Sequence, residues 1–146
     1  VNSAQMDQSP HLSSDGLELW LGSHRGGTGF EDVYVARRNR TTDTFGTPTA
    51  VTELNSPGID TGAALSQDSS TVYYSSERSG GAGGLDLWLA RRGARGARFS
   101  SPEPLVELNG RDDDFDPTLT ADEQELVFVS DRSGSPRLWH AVRYCE

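Results

Sequence analysis

A single unit recurs three times along this chain, and its period restricts the fold more than any other property. The unit opens at Asp7, Asp60 and Asp114 and passes a Leu at Leu12, Leu65 and Leu119. An apolar run ending in Ser-x-Arg then closes on Arg25, Arg78 and Arg132. Asp7 to Asp60 is 53 positions and Asp60 to Asp114 is 54, and the arginines keep the same two intervals. Several short strands inside a period of that length describe a propeller blade.

Each copy parses into four strands. The first centres on Leu12, Leu65 and Leu119. The second covers Leu17–Ser23, Thr71–Ser76 and Glu125–Ser130, rich in β-branched and aromatic residues. The third covers Asp32–Arg37, Asp86–Arg91 and Arg137–Arg143. Its residues are apolar on both faces, as in a sheet covered on both sides. The fourth is expected over Pro48–Leu54 and Pro104–Leu108, and the third copy has none. Gly-rich connections, Gly26-Gly27-Thr28-Gly29 and Gly80-Gly81-Ala82-Gly83-Gly84, join second strands to third strands. The expectation is an all-β, single-domain propeller over residues 1–146. Its first blade covers about 7–55, its second about 60–109, and its third about 114–146 without an outer strand.

The order Asp-x-x-Pro-x-Leu-Ser-x-Asp-Gly, apolar strand, Ser-x-Arg, Gly-rich turn, Asp-Leu-Trp resembles the TolB-like repeat, a WD-repeat-like β-propeller family. The likeness covers nearly the whole chain. Departures are Ala63 in place of Pro10, Ser69 and Glu123 in place of Gly16, and Arg137 in place of Asp32 and Asp86. The resemblance implies an exported protein, periplasmic or extracellular, that works as a binding scaffold. It equally allows the gating propeller of a larger hydrolase such as an oligopeptidase.

Three blades do not close a ring, since propellers have about four to eight. The reading is therefore six blades made by a homodimer, or a piece of a larger propeller. Bare blade faces would form the interface.

Composition narrows the function. The net charge is −9, and all 13 basic residues are Arg. Such a chain lacks the basic footprint of a nucleic-acid binder. It has no apolar run long enough for membrane insertion as a helix, and no leader-like start at Val1. Cys145 is the single cysteine, so no intrachain disulfide forms.

The repeat serves as an internal control, because a residue that shapes the fold recurs in every blade. Asp7, Asp60, Asp114, Arg25, Arg78 and Arg132 recur and read as structural, through Arg–carboxylate contacts that tie turns together. Binding candidates break the pattern. His11 replaces Ala64 and Thr118 on an inner, channel-lining strand. Asp112, Asp113 and Asp116 add carboxylates around Asp114. Clustered carboxylate oxygens suit Ca²⁺, although the spacing is not that of an EF-hand loop. His24 reads as a solvated turn residue. The histidines have no metal-ligand spacing, and the chain has no phosphate-binding loop or Gly-x-Ser-x-Gly elbow. No catalytic constellation emerges, and no cofactor is called for.

Seven arginines, Arg37, Arg38, Arg40, Arg91, Arg92, Arg95 and Arg98, follow third strands, which predicts a basic disc face. Asp60 and Asp112–Asp116 follow fourth strands and predict an acidic face that attracts a cationic partner. The leading function is thus a non-enzymatic scaffold binding a protein or peptide on one disc face. A small-ligand or glycan site at Trp20, Trp88 and Trp139 is the further alternative.

Overall fold

The structure is a computed structural model and describes residues 1–26 and 30–143. Gly27, Thr28 and Gly29 of the first Gly-rich turn, and Cys145, lie outside the described residues. The described chain is all β, in three antiparallel sheets. The first sheet contains β1 (Asp7–Leu12), β2 (Glu18–Ser23), β3 (Asp32–Arg37) and β4 (Thr49–Ala50). The second contains β5 (Asp60–Leu65), β6 (Thr71–Ser76), β7 (Asp86–Arg91) and β8 (Glu103–Pro104). The third contains β9 (Asp114–Leu119), β10 (Glu125–Ser130) and β11 (Arg137–Val142). Strands follow chain order in every sheet, and the inner strands β1, β5 and β9 lie side by side. This is the architecture of propeller blades.

Two strand expectations need correction. The leucines end the inner strands rather than centre them, and the outer strands are only two residues long. After Ala50 the chain turns, with the Leu54 amide donating to the Val51 carbonyl at 2.9 Å. The second blade does the same from Leu108 to Leu105, also at 2.9 Å. Leu54 is then spent on packing, fully buried, rather than on extending the ladder.

The first-to-second-strand turns share one design. Ser13 Oγ donates to Asp15 Oδ1 at 2.8 Å and accepts the Glu18 amide at 2.9 Å. Ser66–Asp68 and Thr120–Asp122 repeat the contact at 2.7 and 2.6 Å. Gly16, Ser69 and Glu123 all take left-handed φ values of 71°, 58° and 57°. The missing glycines therefore change the strain of the turn, not its path.

Most of the apolar core lies between the first two blades. Trp20, Val33, Val35, Val51 and Leu54 meet Leu65, Val72, Tyr74, Trp88, Ala90 and Phe99. Trp20 is fully buried and meets Phe99 edge-on, with ring centres 5.8 Å apart. Each such side chain contributes about 1.5–3 kcal/mol by leaving water. The core between the second and third blades is smaller, built on Leu87, Leu126 and Phe128.

Candidate functional site

Each inner strand breaks its ladder with the second strand at the same place. The register shifts between Gln8 and His11, between Thr61 and Ala64, and between Phe115 and Thr118. Within these bulges Ser9, Gly62 and Asp116 have φ values of 48°, 63° and 51°. Only Gly62 takes that conformation without steric cost. A bulge re-aims side chains, and here three side-by-side bulges open a cup of about 230 Å³. Its walls are Ser9, Pro10 and His11, Gly62 and Ala63, and Asp116, Pro117 and Thr118.

Two of the four binding candidates, His11 and Asp116, meet in this cup. His11 Nε2 accepts the Leu65 amide across the blade boundary at 3.2 Å. That bond requires the lone pair, so Nδ1 carries the proton of the neutral ring. Burial lowers the His11 pKa below its usual value. Among the described residues the Asp116 carboxylate has no hydrogen-bond partner, while its amide donates to Ser75 Oγ at 3.0 Å. Asp116 is exposed at the mouth of the cup, and partial desolvation there raises its pKa.

The other two candidates are engaged elsewhere. Asp113 accepts the Leu85 amide at 2.9 Å and so anchors the end of the Gly-rich connection. Asp112 stands 3.7 Å from Arg111. The four carboxylates of the acidic run therefore do not converge. Among the described residues, no group of three His, Cys, Asp or Glu side chains is placed to hold a metal.

The six recurring residues build the same corner in each blade. Asp7 accepts Ser23 Oγ at 2.6 Å and Arg25 Nη2 at 2.5 Å, and Arg25 also donates to the Val1 carbonyl at 2.9 Å. Asp60 accepts Ser76 Oγ at 2.5 Å and pairs with Arg78 at 3.3 Å, while Arg78 donates to the Leu54 carbonyl. Asp114 pairs with Arg132, which donates to Ser130 Oγ at 2.8 Å and to the Leu108 carbonyl at 2.6 Å. One guanidinium thus joins an inner strand, a second strand and the preceding outer segment. The Ser23 hydroxyl, the Ser3 amide and Arg25, in that order, hold the Asp7 carboxyl far below its usual pKa.

The expected basic face is largely neutralised. Arg37 and Arg92 pair with Glu18 at 2.9 and 2.8 Å, and Arg95 with Asp15 at 2.6 Å. Arg91 and Arg98 reach Glu103 and Glu53 at 3.5 and 3.9 Å. These partners come from other strands and turns of the chain, so arginine positions alone overstate the free positive charge. The tryptophans do not form a glycan platform either. Trp20 and Trp88 are core residues, and Trp139 lies under the Arg132 guanidinium at 5.1 Å.

Sequence reasoning missed Glu31. It is buried, accepts Thr61 Oγ1 at 2.6 Å and Gln8 Nε2 at 2.8 Å, and stands 3.9 Å from His24. A Cβ on Gly22 would fall 2.0 Å from a Glu31 carboxylate oxygen, so a larger residue there would force the Glu31 and Thr61 side chains to shift. The available signal was the repeat itself, since the matching position in the second blade is Leu85.

The bladed, all-β architecture with its repeated Asp–Ser–Arg corner defines a TolB-like propeller fold. No protein-family model and no curated protein matches the chain. Solved structures do. The chain is similar to TolB from Acinetobacter baumannii, with TM-score 0.64 and 16% identity, over 97% of this chain and 31% of that one. It is also similar to a protein assigned as TolB from Agrobacterium tumefaciens, with TM-score 0.54 and 16% identity, over 96% of this chain and 59% of that one. At that identity the likeness establishes the fold. The chain spans about a third of the first structure and three-fifths of the second.

Proposed function

We propose that the protein is a non-enzymatic propeller scaffold whose cup receives a basic side chain from a protein or peptide partner. The observation that carries this reading is the Asp116 carboxylate, left without a protein partner in a cup formed by three strands. An exposed carboxylate at the mouth of such a cup gains from a cation that brings its own hydrogen-bond donors. The net charge of −9 favours encounter with basic partners at low salt. The resemblance to TolB-like propellers supports an exported setting for this role.

The test is fluorescence anisotropy with a labelled peptide of alternating Arg and Gly, measured for wild type and Asp116→Asn at low and moderate salt. Wild type is expected to bind more weakly as salt rises, with affinity reduced about tenfold by Asp116→Asn, the size of one charge-assisted contact. Equal affinities for the two proteins would remove the cup from the function.

A further inference from the structure

Arg92 engages two of its three guanidinium nitrogens and leaves the third idle. Nη2 lies 2.8 Å from Glu18, and Nε donates to the Ser69 carbonyl at 2.7 Å. Among the described residues Nη1 has no hydrogen-bond partner, although the side chain is completely buried. A buried donor without a partner is costly, and its presence calls for a cause.

Arg92 lines a cavity of about 140 Å³ in the seam between the first two blades. The first blade supplies one wall through Val35, Thr49 and Val51, and the second supplies the other from Gly96 to Phe99. These two blades are packed against each other, so both walls are in place. Arg37 and Arg98 also line the cavity, and both reach solvent. Arg37 spends only Nε, on Glu18 at 2.9 Å. Arg98 is 80% exposed and loosely held, 3.9 Å from Glu53 and 3.5 Å from Thr52 Oγ1. Glu53 in turn accepts the Phe99 amide at 3.0 Å. Three guanidiniums thus meet two carboxylates, Glu18 and Glu53, which leaves one positive charge in excess. Arg98 also breaks the repeat. Arg92 and Phe99 match Arg38 and Phe45, each 54 positions earlier, but the same step takes Arg98 to Thr44.

We propose that this cavity binds a short aliphatic monocarboxylate. Val35, Val51 and Phe99 receive its hydrocarbon body. Arg37 and Arg98 take the carboxylate at the mouth, where planar guanidiniums match a pair of oxygens. Arg92 is the fixed charge beneath them. The space equals that of about five water molecules, which admits a chain of about three or four carbons. One excess positive charge balances one carboxylate and leaves a second anionic group uncompensated. The cavity lies on third and outer strands rather than inner ones, and the inference is independent of what the cup binds.

Titration with butanoate, followed by two-dimensional NMR, tests it, with butanamide as the uncharged control of the same shape. Wild type should show saturable shifts with butanoate, centred on Val35 and Val51, and none with butanamide. Arg98→Gln should weaken binding by about tenfold, the scale of one charge-assisted hydrogen bond. Ala97→Leu, at an exposed turn position, should fill the cavity and abolish the shifts. The amide spectrum of each variant reports whether it is folded, and Arg98, being so exposed, can be replaced without touching the core. No saturable shift in wild type, an equal response to butanamide, or binding unchanged in both variants would each overturn the site.

Discussion

Arg92 and Glu18 form a salt bridge across the boundary between two blades, at 2.8 Å, with both side chains shielded from water. The guanidinium is wedged among rings, 4.8 Å from Phe99 and 5.7 Å from Trp20. Burial works against the charge on Glu18, but the bonds from Arg92 and Arg37 outweigh it, and its pKa falls below the usual value. The pair therefore belongs to the main core of the molecule rather than to its surface.

Removing one member of this pair leaves the other short of a partner: Glu18 keeps only the half-exposed Arg37, and Arg92 keeps no carboxylate. Arg92→Met should cost about 3–5 kcal/mol, the range for breaking a buried ion pair. Glu18→Leu together with Arg92→Met should recover much of that loss, because two apolar side chains of similar size need no hydration. Urea unfolding of the single and double variants checks both statements. Equal losses in the two would mean that packing, not charge, holds the joint.

The corners should rank by burial. Asp60 is completely buried and Asp7 is about 14% exposed at the side chain. Arg78→Ala should therefore destabilise by about 3–5 kcal/mol, as for an uncompensated buried charge. Arg25→Ala should cost less, because water reaches Asp7 once the guanidinium is gone. Chemical denaturation midpoints give the order directly, and a reversed order would contradict the burial argument.

His11 makes stability depend on pH in a defined direction. Its folded pKa lies below the usual 6.5 because burial disfavours the charged ring, and the neutral ring accepts the Leu65 amide. The contribution is present above pH 6.5 and is lost as pH falls through the lower folded value. His11→Asn should remove this acid-sensitive part, so that the stability gap between wild type and variant narrows on acidification. Melting temperatures across that window test it, and a constant gap would assign the acid sensitivity elsewhere.

Gly62 is the unstrained member of the three bulges. An added Cβ would stand 2.9 Å from Asp116 Oδ1 and 3.2 Å from Asp116 Cα, on a backbone already at φ 63°. Gly62→Ala should cost about 1–2 kcal/mol from the left-handed backbone alone, and it should also displace Asp116 and narrow the cup. Thermal unfolding reads the first effect, and peptide anisotropy reads the second.

The blades themselves were legible because the repeat fixes the spacing of Asp, Leu and Arg three times over. Second and third strands could be read to within a residue, since their apolar runs have sharp polar ends. The outer strands could not. Thr52, Glu53 and Leu54 look like a strand continuing from Val51, and only the packing of Leu54 against the next blade turns them away. The cup was half visible. His11 and Asp116 stood out as breaks in the pattern, but left-handed conformations at Ser9 and Asp116 carry no residue signal comparable to glycine. The pairings of Glu18, Asp15 and Glu53 with arginines join segments far apart in the chain, so counting charges by strand predicted a basic face where the structure has mostly neutral pairs.

The corner arginines have a consequence for how such a chain can change over time. Arg25, Arg78 and Arg132 each grip the carbonyl of a residue from the unit before, at Val1, Leu54 and Leu108. The clasp asks nothing of that residue's side chain, only its backbone oxygen. Duplicating or deleting one whole period in the gene would therefore leave each clasp intact, although the apolar cores between blades differ. The differences between units, such as His11, Glu31 and Asp116, then become the places where a new role is written.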